Sequence, residues 1–334
     1  MTTSSGQSLT GGASGELAPE LADIGKRWKE MGIPDLYEGC LDTPHGGEIC
    51  RERGRNVRSF FYPKPSLPTG RMEDFHIDGN EFGVDVQIPV RIIWPHESVL
   101  AKLPGGKPSS TLVFFHGGGW VVGDIDSHEA HCIRHANEAE CVVVTVDYRL
   151  APEHPFPAAY NDCWIATQWA YQNIEKLGGN AKRFAVGGDS AGGNLAAAVA
   201  VACRDASIAL AAQLLVYPAT NLGQLKGTPE IAYLGEDHAV RCRDWRASPY
   251  HAPSHAGLAP AILGVGIHDF LYKDNVAYLE ILKKANVAVT YREFATLNHG
   301  FFSYPAISKD SLAAAQILCA DLRAHFAKAD NAAA

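Results

Sequence analysis

The sequence predicts an α/β fold: a mostly parallel central sheet with an antiparallel N-terminal hairpin, helices on both faces and a small cap. Short, continuously apolar runs recur between helical stretches, and two segments with alternating apolar and polar residues precede them. Hydrophobic residues make up 46% of the chain and charged residues 20%, which is typical of a folded globular protein. Apolar runs that alternate with helices indicate a parallel sheet buried on both faces.

The strands are predicted in two groups. The alternating segments MEDFHIDG and VDVQIPVRIIWP, which start at about residue 71, are expected to form the hairpin. Six apolar runs are expected to form the other strands, and they lie at 111–118, 141–148, 183–190, 211–218, 259–266 and 289–294.

The chain divides into a tail, a lid and a main domain. Residues 1–18 are rich in Ser, Thr and Gly and predict a disordered tail, because they contain little that a core could bury. Residues 19–70 predict an N-terminal cap or lid segment, in which apolar side chains at helical spacing indicate an amphipathic helix over 17–31. The main α/β domain is expected over 71–334, with a short cap insertion at about 219–246, where the alternation of strands and helices breaks.

Charge and composition exclude several classes of partner. The net charge of -8 and the pI of about 5.9 give no electrostatic basis for binding nucleic acid or an anionic membrane. No stretch has the roughly 18 to 20 apolar residues of a membrane span, and the N-terminus lacks the order of a secretory signal, so we expect a cytoplasmic protein without stable membrane association. The eight cysteines form no C-x-x-C pair and are expected to be reduced thiols.

The segment GGDSAGG at 187–193 lies between an apolar run and an Ala-rich helical stretch. In a G-x-S-x-G turn the serine stands at a sharp strand-to-helix bend, and its crowded neighbours, here Gly188 and Gly192, have to lack a Cβ atom. This pattern predicts that Ser190 is an exposed nucleophile. The alternative is a Gly-rich turn in which Ser190 only caps a helix. A phosphate-binding loop is not indicated, because no G-x-x-x-x-G-K pattern occurs.

The segment HGGGW at 116–120 follows another apolar run and predicts an oxyanion loop. Attack on an acyl carbon places negative charge on oxygen, and preorganised N–H groups are needed to receive it. We expect Gly117 and Gly118 to supply two donors and Ala191, next to the nucleophile, a third. His116 is expected to hold the loop by hydrogen bonds rather than to act as an acid or base.

A serine nucleophile needs a base within hydrogen-bonding reach and an acid that orients this base. Beyond the nucleophile, Asp269 ends one apolar run, and His299 follows the last one with Gly300 behind it. The chain order of serine, aspartate and histidine agrees with this choice. Asp274 competes for the role of the acid, but Asp269 is favoured because sites in open α/β sheets collect at strand ends.

Five motifs in this order resemble the hormone-sensitive-lipase-like esterases, the bacterial carboxylesterase branch of the α/β-hydrolase fold. They span residues from about 75 to 326 and are HGGGW (116–120), DYRLAPEHPFPAAYND (147–162), GDSAGG (188–193), GIHDF (266–270) and NHGF (298–301).

The resemblance implies a serine carboxylesterase that hydrolyses short- to medium-chain esters through an acyl-enzyme, without a cofactor or metal. The family's triad falls on Ser190, Asp269 and His299, and its oxyanion donors fall on Gly117, Gly118 and Ala191. In the family the charged residues of the YRLAPE segment are structural, which here means Asp147, Arg149 and Glu153. The chain departs from the family where Phe270 and Leu271 replace Pro-Leu after the acid, and in its long N-terminal extension and short cap insertion.

Three alternatives remain open on the sequence. The first is that the same triad hydrolyses an amide, a carbamate or a specialised metabolite. A non-catalytic receptor on the same fold, like the plant gibberellin receptors, lacks the triad histidine, whereas His299 is present here. His128, His131 and His135 lie at i, i+3 and i+7, and could bind zinc, but there is no H-E-x-x-H motif, and the segment aligns with the family's first helix, of which Ser127 would be the N-cap. We expect a small-molecule ester as partner and no metal. A homodimer is compatible with the sequence.

Overall fold

The computed structural model describes residues 15–41, 43, 45–61, 66–108, 110–225 and 227–331. Within them the strands are β1 (Met72–Asp78), β2 (Gln87–Ile93), β3 (Ser110–Phe115), β4 (Cys141–Val146), β5 (Phe184–Asp189), β6 (Ala212–Val216), β7 (Ala261–His268) and β8 (Val289–Asn298). The α-helices are α1 (Pro19–Glu30), α2 (Gly46–Phe61), α3 (Glu97–Leu100), α4 (Glu129–Glu138), α5 (Ala158–Gln172), α6 (Ala191–Asp205), α7 (Thr228–Leu234), α8 (His238–Arg241), α9 (Tyr272–Lys284) and α10 (Lys309–Asn331).

The strands form one sheet in the order β1-β2-β4-β3-β5-β6-β7-β8. β1 pairs antiparallel with β2 and β2 with β4, whereas all the other pairs are parallel. The predicted fold class is confirmed, since each apolar run contains a strand and the two alternating segments form the hairpin. The carboxyl ends of the parallel strands therefore meet at one edge of the sheet, where open α/β sheets carry their sites.

The central strands β3 to β6 are buried on both faces, which explains why they are mostly apolar. In β3, Leu112 and Phe114 pack with side chains of α4 and α10 on one face. Val113 and Phe115 alternate with them and pack with α5 and α6 on the other face. A strand between two helical layers cannot place a polar residue on either side without burying it.

The N-terminal segment packs against the sheet. α1 covers most of the helix predicted over 17–31. Ahead of it, the Ala18 N–H donates to Thr296 O in β8 at 2.8 Å, and Ala18 is only 3% exposed. His268 Nε2–H donates to Gly15 O at 2.7 Å. The predicted tail boundary at residue 18 is therefore wrong, because residues 15–18 contact the strand ends, and residues 1–14 lie outside the described residues.

Two local predictions concern α4 and the cap insertion. The N-cap of α4 is His128, not Ser127 as predicted, because the Ser127 hydroxyl instead donates to Asp124 O at 2.5 Å. The insertion at about 219–246 contains the two short helices α7 and α8. Among the described residues, no helix has the length and apolarity needed to cross a bilayer.

Candidate active site

Ser190 occupies the bend between β5 and α6. Its φ of 54° and ψ of −116° are unusual for a residue with a Cβ atom, and such conformations cost on the order of 1–3 kcal/mol. The turn is too crowded for side chains on either side: a Cβ atom at Gly188 would lie 2.4 Å from Gly192 backbone atoms, and one at Gly192 would lie 2.0 Å from Phe115 O. The Ser190 N–H donates to Val216 O at 2.9 Å, which fixes the strained residue to β6.

The structure brings Ser190, His299 and Asp269 into one line of hydrogen bonds. His299 Nε2 lies 2.9 Å from Ser190 Oγ. His299 Nδ1 lies 2.9 Å and 3.0 Å from the two carboxylate oxygens of Asp269. An ionised carboxylate can only accept, so Nδ1 carries the proton and the bare Nε2 faces the hydroxyl. This arrangement can remove the proton of Ser190 and return it.

The acid and the base stand at the ends of neighbouring strands, β7 and β8. Asp269 is 5% exposed, and its Oδ1 accepts the Leu271 N–H at 2.7 Å. Asp274, the competitor for the role of the acid, lies in the first turn of α9, where its Oδ2 accepts the Thr220 N–H at 2.6 Å. The two aspartates therefore have separate partners, and only Asp269 reaches the imidazole.

A cavity of about 380 Å³ opens above Ser190, and we call it the catalytic cavity. Besides Ser190 and His299, its walls include the glycines of the oxyanion loop and side chains from the N-terminal segment and α7, among them Trp28, Leu36, Tyr37 and Glu230. Burial raises the pKa of the Glu230 carboxyl. Phe270, at the departure from the family pattern, is 70% exposed with its ring 4.5 Å from that of His299.

A second cavity of about 280 Å³, which we call the side cavity, lies between α2 and α4. It shares Trp28, Leu36 and Val122 with the catalytic cavity and extends past Gly54 and Val57 of α2. Its walls also include charged and polar side chains, among them Arg58 and Glu129. The side cavity is therefore a mixed apolar and polar space that adjoins the catalytic cavity.

The oxyanion prediction needs one correction. The Gly117 N–H donates to Asp189 Oδ1 at 3.0 Å, and His128 Nε2 lies 3.3 Å from the same nitrogen, so this N–H is not available to an oxyanion. Within the described residues, no hydrogen bond engages the N–H groups of Gly118, Gly119 or Ala191. The free donors in the loop are thus those of Gly118 and Gly119, one residue later than expected.

The loop itself is held by contacts at both ends. Gly118 has a φ of 125°, and a Cβ atom there would lie 2.1 Å from Val122 O. His116 Nδ1–H donates to Gly117 O at 2.8 Å, which agrees with its predicted role. Tyr37 OH donates to Gly118 O at 3.1 Å from a position 81 residues away. Sequence reasoning missed Tyr37, because nothing in its local pattern indicates this contact.

Asp189 and His128 were also missed as site residues. Both are buried, at 4% and 8% exposure, and both border the catalytic cavity. Although burial raises the pKa of Asp189, the charge and hydrogen bond of His128 lower it to about 2. The position of Asp189 directly before the nucleophile was an available signal, whereas His128 had been considered only as a zinc ligand.

The histidines of α4 are stacked. The ring of His128 lies 4.8 Å from that of His131, and those of His131 and His135 lie 5.2 and 5.3 Å from Phe302. Burial lowers the pKa of both His131 and His135 to about 3. Within the described part of the chain, no three His, Cys, Asp or Glu side chains converge as a metal site would require.

Two of the charged residues of the YRLAPE segment, Arg149 and Glu153, are engaged in ion pairs. Arg149 Nη2 lies 2.7 Å from the buried Asp162, and Arg51 of α2 lies 2.6 Å from Glu153. Glu153 thereby connects α2 to the segment beside the site.

None of the eight cysteines forms a disulfide bond, and seven of the eight are buried.

Comparison with known proteins places the chain in a family. A model described as the alpha/beta hydrolase fold matches residues 112–303, more than half of the chain. The chain is 35% identical to the carboxylesterase NlhH of Mycobacterium tuberculosis over 294 residues, which cover 82% of this chain and 88% of that one. It is 32% identical to the ethyl acetate hydrolase of Pseudomonas putida over 67% of this chain and 74% of that one.

The solved structures agree. An α/β hydrolase enzyme, LAE6, from the metagenome of Lake Arreo superposes with a TM-score of 0.78 and 32% identity, covering 94% of this chain and all of that one. The motifs, the strand order and these similarities lead to one assignment. The chain belongs to the α/β-hydrolase family, in the hormone-sensitive-lipase-like branch that its motifs predict.

Proposed function

We propose that this protein is a serine carboxylesterase that hydrolyses short- to medium-chain carboxylic esters. The observation that carries the proposal is the line of hydrogen bonds from Ser190 Oγ through His299 to Asp269, with distances of 2.9 Å at both steps. The names of the relatives, a carboxylesterase and an ethyl acetate hydrolase, support small esters as the substrate class.

In the proposed mechanism His299 Nε2 takes the proton of Ser190, and Oγ attacks the acyl carbon. The N–H groups of Gly118, Gly119 and Ala191 stabilise the negative charge on the carbonyl oxygen. The imidazolium, held by Asp269, then gives its proton to the leaving alcohol. Water then attacks the acyl carbon of the acyl-enzyme while His299 takes one of its protons. The bond between Ser190 Oγ and the acyl carbon breaks, His299 returns the proton to Oγ, and the acid leaves, so the cycle needs no cofactor.

A series of p-nitrophenyl esters from acetate to laurate tests the substrate class. We expect kcat/KM to be highest at about eight acyl carbons or fewer. Hydrolysis restricted to long-chain lipids would contradict the proposal. A matched ester and anilide of the same acid test the amide alternative, and we expect the ester to be cleaved faster by orders of magnitude.

A non-catalytic receptor would bind esters without turnover in the same assays. The presence of a bare His299 Nε2 at 2.9 Å from the hydroxyl favours the enzyme over the receptor. Cytoplasmic location stays a prediction, which cell fractionation can test. A homodimer also stays a prediction, which light scattering of the purified protein can test.

A further inference from the structure

A second histidine and aspartate pair lies behind the oxyanion loop. His128 Nε2 is 3.4 Å from Asp189 Oδ1, and the same oxygen accepts the Gly117 N–H at 3.0 Å. His128 is the N-cap residue of α4, and Asp189 is the last residue of β5. The proposed mechanism uses neither side chain, although both border the catalytic cavity. The pair therefore connects the helix, the loop and the strand that precedes the nucleophile.

The protons of this pair can be assigned from the partners of Ser127. A hydroxyl has one proton, and that of Ser127 goes to Asp124 O at 2.5 Å, because a carbonyl only accepts. The Asp124 N–H donates to the same hydroxyl oxygen at 2.8 Å. Toward His128 Nδ1, at 2.7 Å, the hydroxyl can therefore only accept, so Nδ1 carries a proton.

The other ring nitrogen, Nε2, accepts the Gly117 N–H at 3.3 Å. A ring with its proton on Nδ1 has its lone pair on Nε2, so the tautomer set by Ser127 is the one that can accept this N–H. The same N–H also donates to Asp189 Oδ1 at 3.0 Å. Both side chains therefore hold the Gly117 nitrogen, His128 from the start of α4 and Asp189 from the end of β5.

The neighbouring histidines do not share this contact with the Gly117 N–H. Burial lowers the pKa of His116 to about 4 and that of His131 to about 3, so both rings are neutral near pH 7. Neither ring makes a hydrogen bond to Asp189 within the described residues, whereas His128 lies next to it. His131, one turn along the same helix, is for that reason a matched control.

We propose that the His128 ring and the Asp189 carboxylate, which share the Gly117 N–H, form a positioning pair for the oxyanion loop. Asp189 anchors Gly117, and the pair thereby fixes the next two residues, Gly118 and Gly119, whose N–H groups receive the oxyanion. The inference rests on the proposed function. His128 and Asp189 act through the loop and do not touch the reacting atoms, so their loss impairs the transition state more than substrate binding.

The test compares His128→Leu with the control His131→Leu, using p-nitrophenyl acetate and active sites counted with a fluorophosphonate. For His128→Leu we expect kcat per titrated site to fall about 30-fold or more, with KM changed by less than about threefold. A trifluoromethyl ketone, which forms an oxyanion on the nucleophile, should bind more weakly by a similar factor. His131→Leu should keep kcat within about threefold of the wild type.

Conservative variants keep the proposal testable if His128→Leu folds poorly. His128→Gln retains an acceptor for the Gly117 N–H and should recover most of the lost kcat. Asp189→Asn keeps an acceptor for Gly117 but removes the charge, so kcat should fall by about tenfold. Equal kcat values for the two leucine variants, or a rise in KM alone, would overturn the positioning role. Absence of ester turnover in the wild type would instead reject the proposed function.

Discussion

The proposed catalytic residues and the residues that cover them are held by different kinds of contact. Ser190, Asp269 and His299 stand at or directly after the ends of β5, β7 and β8, and the backbone of Ser190 is hydrogen-bonded into the sheet. We call the covering elements, α1, α2, Tyr37 and α7, the roof. The roof reaches the site through single side chains, such as the Tyr37 hydroxyl on Gly118 O.

Another roof contact is the stack of Tyr233 in α7 on Trp120 of the oxyanion loop, with ring centroids 4.5 Å apart. Arg51 in α2 donates to Val121 O at 3.2 Å and pairs with Glu153. These contacts are made by individual side chains, whereas the strand ends rest on a core buried on both faces. We therefore expect the triad to determine the rate of the chemical step and the roof to determine which esters are bound.

The largest effect is expected for Ser190→Ala. Without the nucleophile, turnover should fall by a factor of about 10⁴ or more, while folding stays intact, because alanine fits the turn. Steady-state hydrolysis of p-nitrophenyl acetate measures the loss. Ser303→Ala, a second serine on the wall of the catalytic cavity, is the control and should stay within about threefold of the wild type. A similar loss in both variants would mean that the cavity, and not this hydroxyl, limits the rate.

A loss of about 10³ to 10⁴ in kcat is expected for Asp269→Asn, because an amide favours the wrong tautomer of His299. Asp274→Asn is the matched control, since Asp274 binds Thr220 N–H and not the imidazole. Its kcat should change by less than about threefold. If Asp274→Asn were the more damaging change, the assignment of the acid would be reversed.

A roof variant, Gly54→Leu, should alter selectivity rather than chemistry. A Cβ atom at Gly54 would lie 3.6 Å from Leu36 Cδ1 and 3.9 Å from Val122 Cβ, so a larger side chain projects into the side cavity without a clash at its base. We expect kcat/KM for p-nitrophenyl octanoate to fall about tenfold and that for the acetate to change little. Gly25→Leu in α1, where a Cβ atom would meet nothing within 4 Å, serves as the control. If the ratio of kcat/KM for the octanoate to that for the acetate did not change, the side cavity would have no role in acyl-chain selectivity.

The smallest effect concerns stability at acid pH. Burial lowers the pKa of His131 to about 3 in the folded chain, against about 6.5 when unfolded. The neutral ring therefore contributes stability above about pH 6.5, and the contribution is lost as the pH falls toward 3. When the pH falls from 7 to 5, the free energy of unfolding should fall by about 2 kcal/mol less in His131→Leu than in the wild type. Urea denaturation at each pH measures the difference. Parallel curves for the two proteins would show that His131 is not held neutral.

Prediction from sequence succeeds where a feature is local. The central strands could be predicted because burial on two faces makes them mostly apolar, and the hairpin could be predicted from its alternating residues. The order of Ser190, Asp269 and His299 follows from where the apolar runs end. The contact of Gly117 with Asp189 spans 72 residues, so the motif alone misplaced the free oxyanion donors by one residue. The cap of α4 was misjudged because a serine hydroxyl can serve either a helix end or a turn.

The roof was predicted least well. α2 has the sequence GGEICRERGRNVRSFF, which contains six charged residues and begins with two glycines. Its polar character concealed a helix that is stabilised by packing on the domain. Its contacts, such as that of Arg51 with Glu153, join positions 102 residues apart. Local periodicity carries no information about such pairs. The lengths and positions of roof helices consequently depend on tertiary contacts.

The central claim is that one hydroxyl, activated by His299, carries the chemistry. Incubation with a p-nitrophenyl phosphonate, followed by intact-mass measurement and peptide mapping, tests it most directly. The account predicts one phosphonyl group per chain, located on Ser190, formed in step with the loss of esterase activity and absent from Ser190→Ala. An adduct on another residue, or full inactivation with Ser190 unmodified, would contradict it.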